Sequence, residues 1–129
     1  MSSRPRIILT IAWTAGMVLS AALAAAGVEE GNAVAGRAAF EKRCTGCHAL
    51  DHEKVGPRLA GVVGRKAGAI STFPYSDAVK KSGVVWNEAA LNTWLTDPET
   101  MIPDNDMTFR LDNPAERSAI IAFLKETSK

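Results

Sequence analysis

Cysteine and histidine are scarce in this 129-residue chain, with two of each, and there is a single tyrosine. Cys44 and Cys47 lie too close together to close a large loop, and a secreted disulfide scaffold carries more cysteines than this. A structural zinc would need further ligands, yet His52 is the sole Cys or His outside Cys44-Thr45-Gly46-Cys47-His48. Charge of one sign is lacking too. The 15 Lys+Arg stand against 14 Asp+Glu, a formal net charge of +1, which argues against a dedicated nucleic-acid binder. No run alternates in the way a half-buried strand requires, and no internal repeat is visible. The length admits one modest domain and excludes a multidomain enzyme. With 47% apolar and 22% charged residues, what remains is a folding globular protein, neither a disordered tail nor a multispan membrane protein.

One stretch departs from this balance. Arg4 and Arg6 precede residues 7–28, which carry no charge, the basic-then-apolar order of an export signal. Small-x-small sites follow at Ala22-Leu23-Ala24 and Ala24-Ala25-Ala26. The expected organisation is a signal peptide over 1–26, a linker over 27–32 and a folded domain over 33–129, with about 105 residues left after cleavage. The rival is an uncleaved anchor, since 22 uncharged residues at ~1.5 Å per residue could cross a ~30 Å hydrocarbon core. The alanine-rich second half and the small-x-small pattern favour cleavage. Both readings put the domain outside the cytoplasm, in the periplasm, attached to the inner membrane only if the anchor survives. Losing Arg4 and Arg6 changes 15 basic residues to 13 against 14 acidic ones, a formal charge of −1.

Helix signals dominate the domain. Ala33 to Arg43 holds good helix formers with Ala35, Ala39 and Phe40 as a small or apolar surface. Ser76 can cap Asp77 to Lys81, with Gly83 ending that short segment. Asn87 can cap a helix that places Leu91, Trp94 and Leu95 on one face before Pro98 stops it. Asn113-Pro114-Ala115-Glu116 combines a cap, a proline at the first helical position and a carboxylate three residues after the cap. It opens a last helix with Ile120, Phe123 and Leu124 as its buried stripe and Lys125 and Lys129 near the negative end of its dipole. Gly and Pro collect between these segments. The fold class is therefore all-α, with four to five short helices and long loops, and so small a set of helices makes a poor core alone. Something else should fill the centre.

Cys44-Thr45-Gly46-Cys47-His48 supplies it. Two thiols three positions apart near a helix end can each bond to a vinyl group on one edge of a haem, and the next imidazole then lies under the iron. A thioredoxin-like dithiol would need a preceding strand in a βαβ setting, which is absent. For the second axial position, His52 follows His48 by only four residues and is too near to reach the opposite face. It reads as a solvated or hydrogen-bonding loop residue. A methionine thioether is the alternative soft ligand. Met101, between Thr100 and Ile102, reads as an apolar gap filler on a short helical turn. Met107 ends a loop kept out of helix by Pro103, and a ligand presented from a loop fits there.

From Gly36 to Leu124 the chain resembles a class I cytochrome c of the mitochondrial and bacterial type. The resemblance is carried by Gly36 and Phe40 set against Ile120 and Phe123, by the C-x-x-C-H motif, and by Gly56-Pro57-Arg58-Leu59-Ala60-Gly61 and Gly64-Arg65-Lys66. It continues through Phe73-Pro74-Tyr75-Ser76-Asp77-Ala78, Val85-Trp86, and Ile102-Pro103 through Met107 with Phe109 beyond. It implies one covalently bound haem c, held through Cys44 and Cys47, with His48 and Met107 as axial ligands. It also implies that the Pro57 carbonyl accepts from the second His48 nitrogen, and that Tyr75, Trp86 and Arg65 serve the haem propionates. Trp94 stands where an aromatic hydroxyl often contacts the methionine ligand, Asn105 replaces a threonine beside it, and the loop from His48 to Pro57 is shorter than in the mitochondrial proteins. Glu99 and Asp106 occupy two places where lysines ring the haem edge. Arg43, Lys54, Lys66, Lys80 and Lys81 remain as candidates for a local basic face, or as simply solvated charges.

The implied function is single-electron transfer between redox protein partners, as a monomer without substrate chemistry, because a six-coordinate iron leaves no open position. The rival is a haem enzyme or gas sensor whose methionine is absent or labile.

Overall fold

The computed structural model describes residues 32–129; the assigned signal peptide, and the linker up to residue 31, lie outside the described residues. Five helices are present among the described residues: α1 over residues 32–43, α2 over Asp77–Lys81, α3 over Glu88–Thr96, α4 over Pro98–Met101 and α5 over Pro114–Glu126. Long loops join most of them.

Local chemistry sets most of the helix starts. Ser76 Oγ accepts from the Val79 N–H at 3.3 Å, Asn87 Oδ1 from Ala90 at 2.8 Å, and Asn113 Oδ1 from both Ala115 and Glu116 at 2.9 and 3.2 Å. Gly83, just past the end of α2, adopts φ +69, the left-handed region that costs a glycine little. Pro98 does more than stop α3. Asp97 before it is extended, as a residue preceding proline should be, and its carboxylate caps α4, of which Pro98 is the first residue. Glu116, three residues after its cap, does not close a capping box. Its carboxylate instead takes two hydrogen bonds from the Arg43 guanidinium, at 2.8 and 3.2 Å, and ties the end of α1 to the start of α5.

The crossing of α1 over α5 rests on Gly36. A Cβ there would lie 2.6 Å from the Ala119 carbonyl carbon and 2.9 Å from the Phe123 Cβ, so the helices meet at a distance only hydrogen allows. One turn on, the Phe40 and Phe123 rings pack tilted with centroids 5.3 Å apart, and the Arg37 guanidinium covers the outer face of Phe123 at 4.9 Å. Ile120 is 1% exposed, and its removal from water contributes about 2 kcal/mol.

Two buried clusters result. The larger joins Phe40, Val62, Leu91, Leu95 and Leu111 to the α5 stripe, with Cys44, Leu59, Trp86 and Met107 packed against it. The smaller comprises Ala67, Val79 and Ile102, with Tyr75, Trp86, Trp94 and Met101 packed on it. Trp86 touches both. It is held by a short antiparallel pairing in which Trp86 N–H donates to Arg65 at 2.9 Å, Ala67 N–H to Val84 at 2.8 Å and Gly64 N–H to Trp86 at 2.8 Å. Lys66 and Val85 form one isolated bridge there, and no strand develops among the described residues.

Candidate haem site

The C-x-x-C-H motif continues the last turn of α1. Cys44 N–H donates to Phe40 at 2.8 Å and His48 N–H to Cys44 at 2.8 Å, so helical pitch carries the two thiols and the imidazole onto one turn. Cys44 is half-buried against the larger cluster, and burial pushes its thiol up to about 11, whereas Cys47 is exposed at the rim.

The loop after the motif is shaped to serve His48. Gly56 N–H donates to the Cys47 carbonyl at 2.8 Å, and Leu59 and Ala60 donate back to Ala49 and Leu50 at 2.9 and 3.0 Å. This fold-back brings the Pro57 carbonyl to 2.8 Å from His48 Nδ1. A carbonyl only accepts, so Nδ1 carries the proton and the lone pair is on Nε2. Burial keeps the imidazole less basic than usual and so favours that neutral form, partly opposed by the hydrogen bond to the Pro57 carbonyl. Gly56 lies flat against the ring: a Cβ there would fall 2.6 Å from Nδ1 and 2.7 Å from Nε2. Sequence reading quoted Gly56 within a family pattern but missed this role; its signal was a Gly-Pro pair shortly after the histidine.

Met107 is half-buried and, like Cys44, packs against the larger cluster. Its sulfur accepts from the Trp94 indole N–H at 3.0 Å, and Trp94 packs on Trp86 with centroids 5.2 Å apart. Met101 packs on the smaller cluster from the short helix α4, in keeping with a gap filler. His52 is exposed and bonds to the neighbouring Asp51 carboxylate at 2.7 Å, well removed in role from His48.

The remaining expected residues divide. Arg65 turns its guanidinium to the Arg58 carbonyl, at 2.9 Å, and to the Ala60 carbonyl, and it also pairs electrostatically with Tyr75. Burial raises the Tyr75 phenol above its ordinary value and lowers the Arg65 guanidinium, so both are partly desolvated and in each other's field. Phe109 stands apart from both clusters and is 37% exposed. Of the basic residues considered for a docking face, Arg43 is engaged by Glu116, Lys80 by Asp77 at 3.0 Å, and Lys54 by the Thr45 carbonyl. Lys81 also lies 3.7 Å from Asp77, so two carboxylates, Glu116 and Asp77, offset part of that face's charge.

These side chains suit a covalently held haem. The imidazole has one nitrogen committed and one lone pair left, over a glycine that leaves its ring unobstructed. The thioether sulfur accepts one hydrogen bond and retains a second lone pair. The thiols lie one turn apart beside the imidazole.

Comparison with known proteins agrees. A sequence model of the cytochrome c family matches residues 33–128. The chain is 51% identical over 85 residues to cytochrome c2 iso-2 of Magnetospirillum molischianum, covering 64% of this chain and 88% of that one. It is 43% identical over 96 residues to cytochrome c2 of Rhodoplanes tepidamans, covering 71% and 89%. The solved structure of cytochrome cH from Methylobacterium extorquens superposes with a TM-score of 0.69 at 44% identity, covering 73% of this chain and 97% of that one. Fold and site together define a small all-helical haem protein with one C-x-x-C-H attachment motif. The chain belongs to the cytochrome c family, in its class I fold, and carries one covalently bound haem c. Members of this family are electron carriers that exchange electrons with redox partners.

Proposed function

We propose that the protein is a periplasmic monohaem electron carrier whose iron is bound axially by His48 and Met107, with Cys44 and Cys47 in the thioether links. It passes single electrons between a donor and an acceptor protein and performs no substrate chemistry of its own. Residues 1–26 act as its export signal and are removed; mass measurement of the exported protein tests this against a surviving anchor. Among the described residues no helix is long and apolar enough to cross a membrane.

The observation that carries the reading is the matched state of the two candidate ligands. His48 is fixed by Pro57 and Met107 by Trp94, each through one hydrogen bond, and each keeps a donor pair for a metal. The haem, when bound, supplies a one-electron couple, and the chain's part is to hold both ligands so that little moves between oxidation states. Pro57 orients the imidazole and adds to its basicity. Trp94 draws electron density from the sulfur, and Trp86, Leu59 and Ile102 keep water from the interior.

The test is the optical spectrum of the exported holoprotein, oxidised and reduced, including the weak band that reports sulfur-to-iron coordination. Met107→Ala should abolish that band, lower the potential and admit carbon monoxide, whereas Met101→Ala should keep the band and lose only packing. The reverse pattern rejects the assignment, and a parent protein that lacks the band and binds carbon monoxide supports the open-site enzyme or sensor instead.

A further inference from the structure

The segment that presents Met107 is bound by a hydrogen-bond system separate from the Trp94 contact. Its centre is Asn105. The side-chain amide donates to the Ile102 carbonyl at 2.8 Å and to Glu99 Oε2 at 3.2 Å, while its Oδ1 accepts from the Met107 backbone N–H at 2.7 Å. Glu99 reaches back from the first turn of α4, and its other oxygen accepts from the Asp104 N–H at 3.2 Å. Asp104 is the sole non-glycine residue with positive φ, +63, among the described residues, so the chain takes a left-handed conformation where Glu99 grips it. Ile102 is 5% exposed and anchors the loop at its start. Beyond Met107, Arg110 pairs with Asp97 at 3.0 Å, and Asp97 caps the same short helix. The loop is thus fastened to α4 before and after the methionine, and one amide side chain spans the interval between Ile102 and Met107.

Geometry of this kind controls a ligand's availability. A thioether is a neutral, exchangeable donor, so its occupancy of a metal depends on how many loop conformations compete with the one that presents it. Each hydrogen bond from Asn105 or to Glu99 removes alternatives in which Met107 swings outward with its backbone. Glu99 is exposed, and nothing in the packing of the core requires a carboxylate there. We infer that Asn105, steadied by Glu99, is a positioning residue that holds the Met107 sulfur on the iron and so sets how readily an outside ligand can displace it. The inference rests on Met107 being the axial ligand.

The experiment is titration of the oxidised holoprotein with imidazole, following the sulfur-to-iron band, for the parent, Asn105→Ala, Asn105→Asp and Glu99→Ala. Loss of one hydrogen-bonding side chain shifts a two-state equilibrium by roughly tenfold, so Asn105→Ala should bind imidazole about tenfold more tightly than the parent. Asn105→Asp keeps the acceptor for the Met107 N–H but loses both donations and sets a carboxylate against Glu99, so it too should bind imidazole more tightly than the parent. Glu99→Ala, at an exposed position compatible with folding, should give about a threefold change. A thermal melt accompanies each variant, because a purely structural role would lower the melting temperature and leave imidazole affinity at 25 °C unchanged. If the parent has the band and neither Asn105→Ala nor Glu99→Ala alters imidazole affinity, the inference is overturned while the ligand assignment stands. If the parent has no such band, the assignment fails first and takes the inference with it.

Discussion

Gly36 offers the most direct check on how the fold is held. Replacing it by alanine places a methyl carbon 2.6 Å from the Ala119 carbonyl carbon, nearer still to its oxygen, and 2.9 Å from the Phe123 Cβ. The obstacle is backbone, which cannot rotate aside as a flexible side chain would, so α1 and α5 must move apart. Ordinary contact between such atoms needs about 3.5 Å, so the carbon contact alone requires a separation of roughly 1 Å and the nearer carbonyl oxygen requires more. A gap of that size forfeits about a quarter to a half of the dispersion energy between facing groups. The pairs affected include Phe40 and Phe123, both under 5% exposed. Overpacking of this kind costs about 1–3 kcal/mol, and for a domain of this length each kcal/mol moves the melting temperature by roughly 4–8 °C. At about 2 kcal/mol, the middle of that range, holoprotein with Gly36→Ala should melt about 8–16 °C below the parent. A Gly36→Ala protein that melts with the parent would refute the claim that this crossing is set by a backbone contact.

Further expectations concern the site and its pH response. Trp94→Phe keeps an aromatic body against Trp86 but deletes the N–H···S bond; sulfur then donates more strongly and the oxidised state gains. One hydrogen bond of about 1 kcal/mol, felt wholly in one oxidation state, is worth about 40 mV for a one-electron couple. Protein-film voltammetry should show the potential fall by about 20–40 mV, and an unchanged or higher value would reject the role given to that bond. Gly56→Ala drives a methyl into the His48 ring at distances the ring can relieve only by leaving the Pro57 carbonyl. Covalent haem content after maturation should drop sharply, and full incorporation with an unaltered spectrum would show that the loop yields instead. The hydrogen bonds from Arg43, then its charge, hold Glu116 below its ordinary value of 4.5, so the unfolded chain takes up that proton first. Stability from this pair is present above the ordinary value and is lost as pH falls through the lower, folded one. Glu116→Gln should therefore melt below the parent near neutral pH and converge with it in acid, and two curves parallel across that range would contradict the linkage.

The division between what was legible along the chain and what was not follows the range of the interactions. Ser76, Asn87 and Asn113 act on amide groups two or three residues away, which is why their helices can be read without any knowledge of the rest. The motif Cys44 to His48 is equally local, since one helical turn arranges it. Pro98 was only half legible. Its effect on the preceding residue is visible in sequence, but its place as the first residue of α4 depends on Asp97 finding Thr100 rather than solvent.

The clearest departure from that pattern involves partners that chain length separates. Glu116 sits where a capping box would use it, yet Arg43, 73 positions earlier, offers a two-pronged charge-assisted bond that a single backbone amide cannot match. That choice exists only once α1 lies across α5. Likewise, sequence alone names His48 and Met107 as two soft donors in the right order along a chain with few alternatives. Tertiary structure decides that Gly56 lies flat on the imidazole, and that the Trp94 N–H, which sequence could only place beside the methionine by resemblance, donates to the thioether sulfur. Composition, caps and motif determine which residues could hold a haem, because they act within a turn or two. Which atoms face which is settled only when the helices cross, because contacts between distant parts of a chain require it to have closed on itself already.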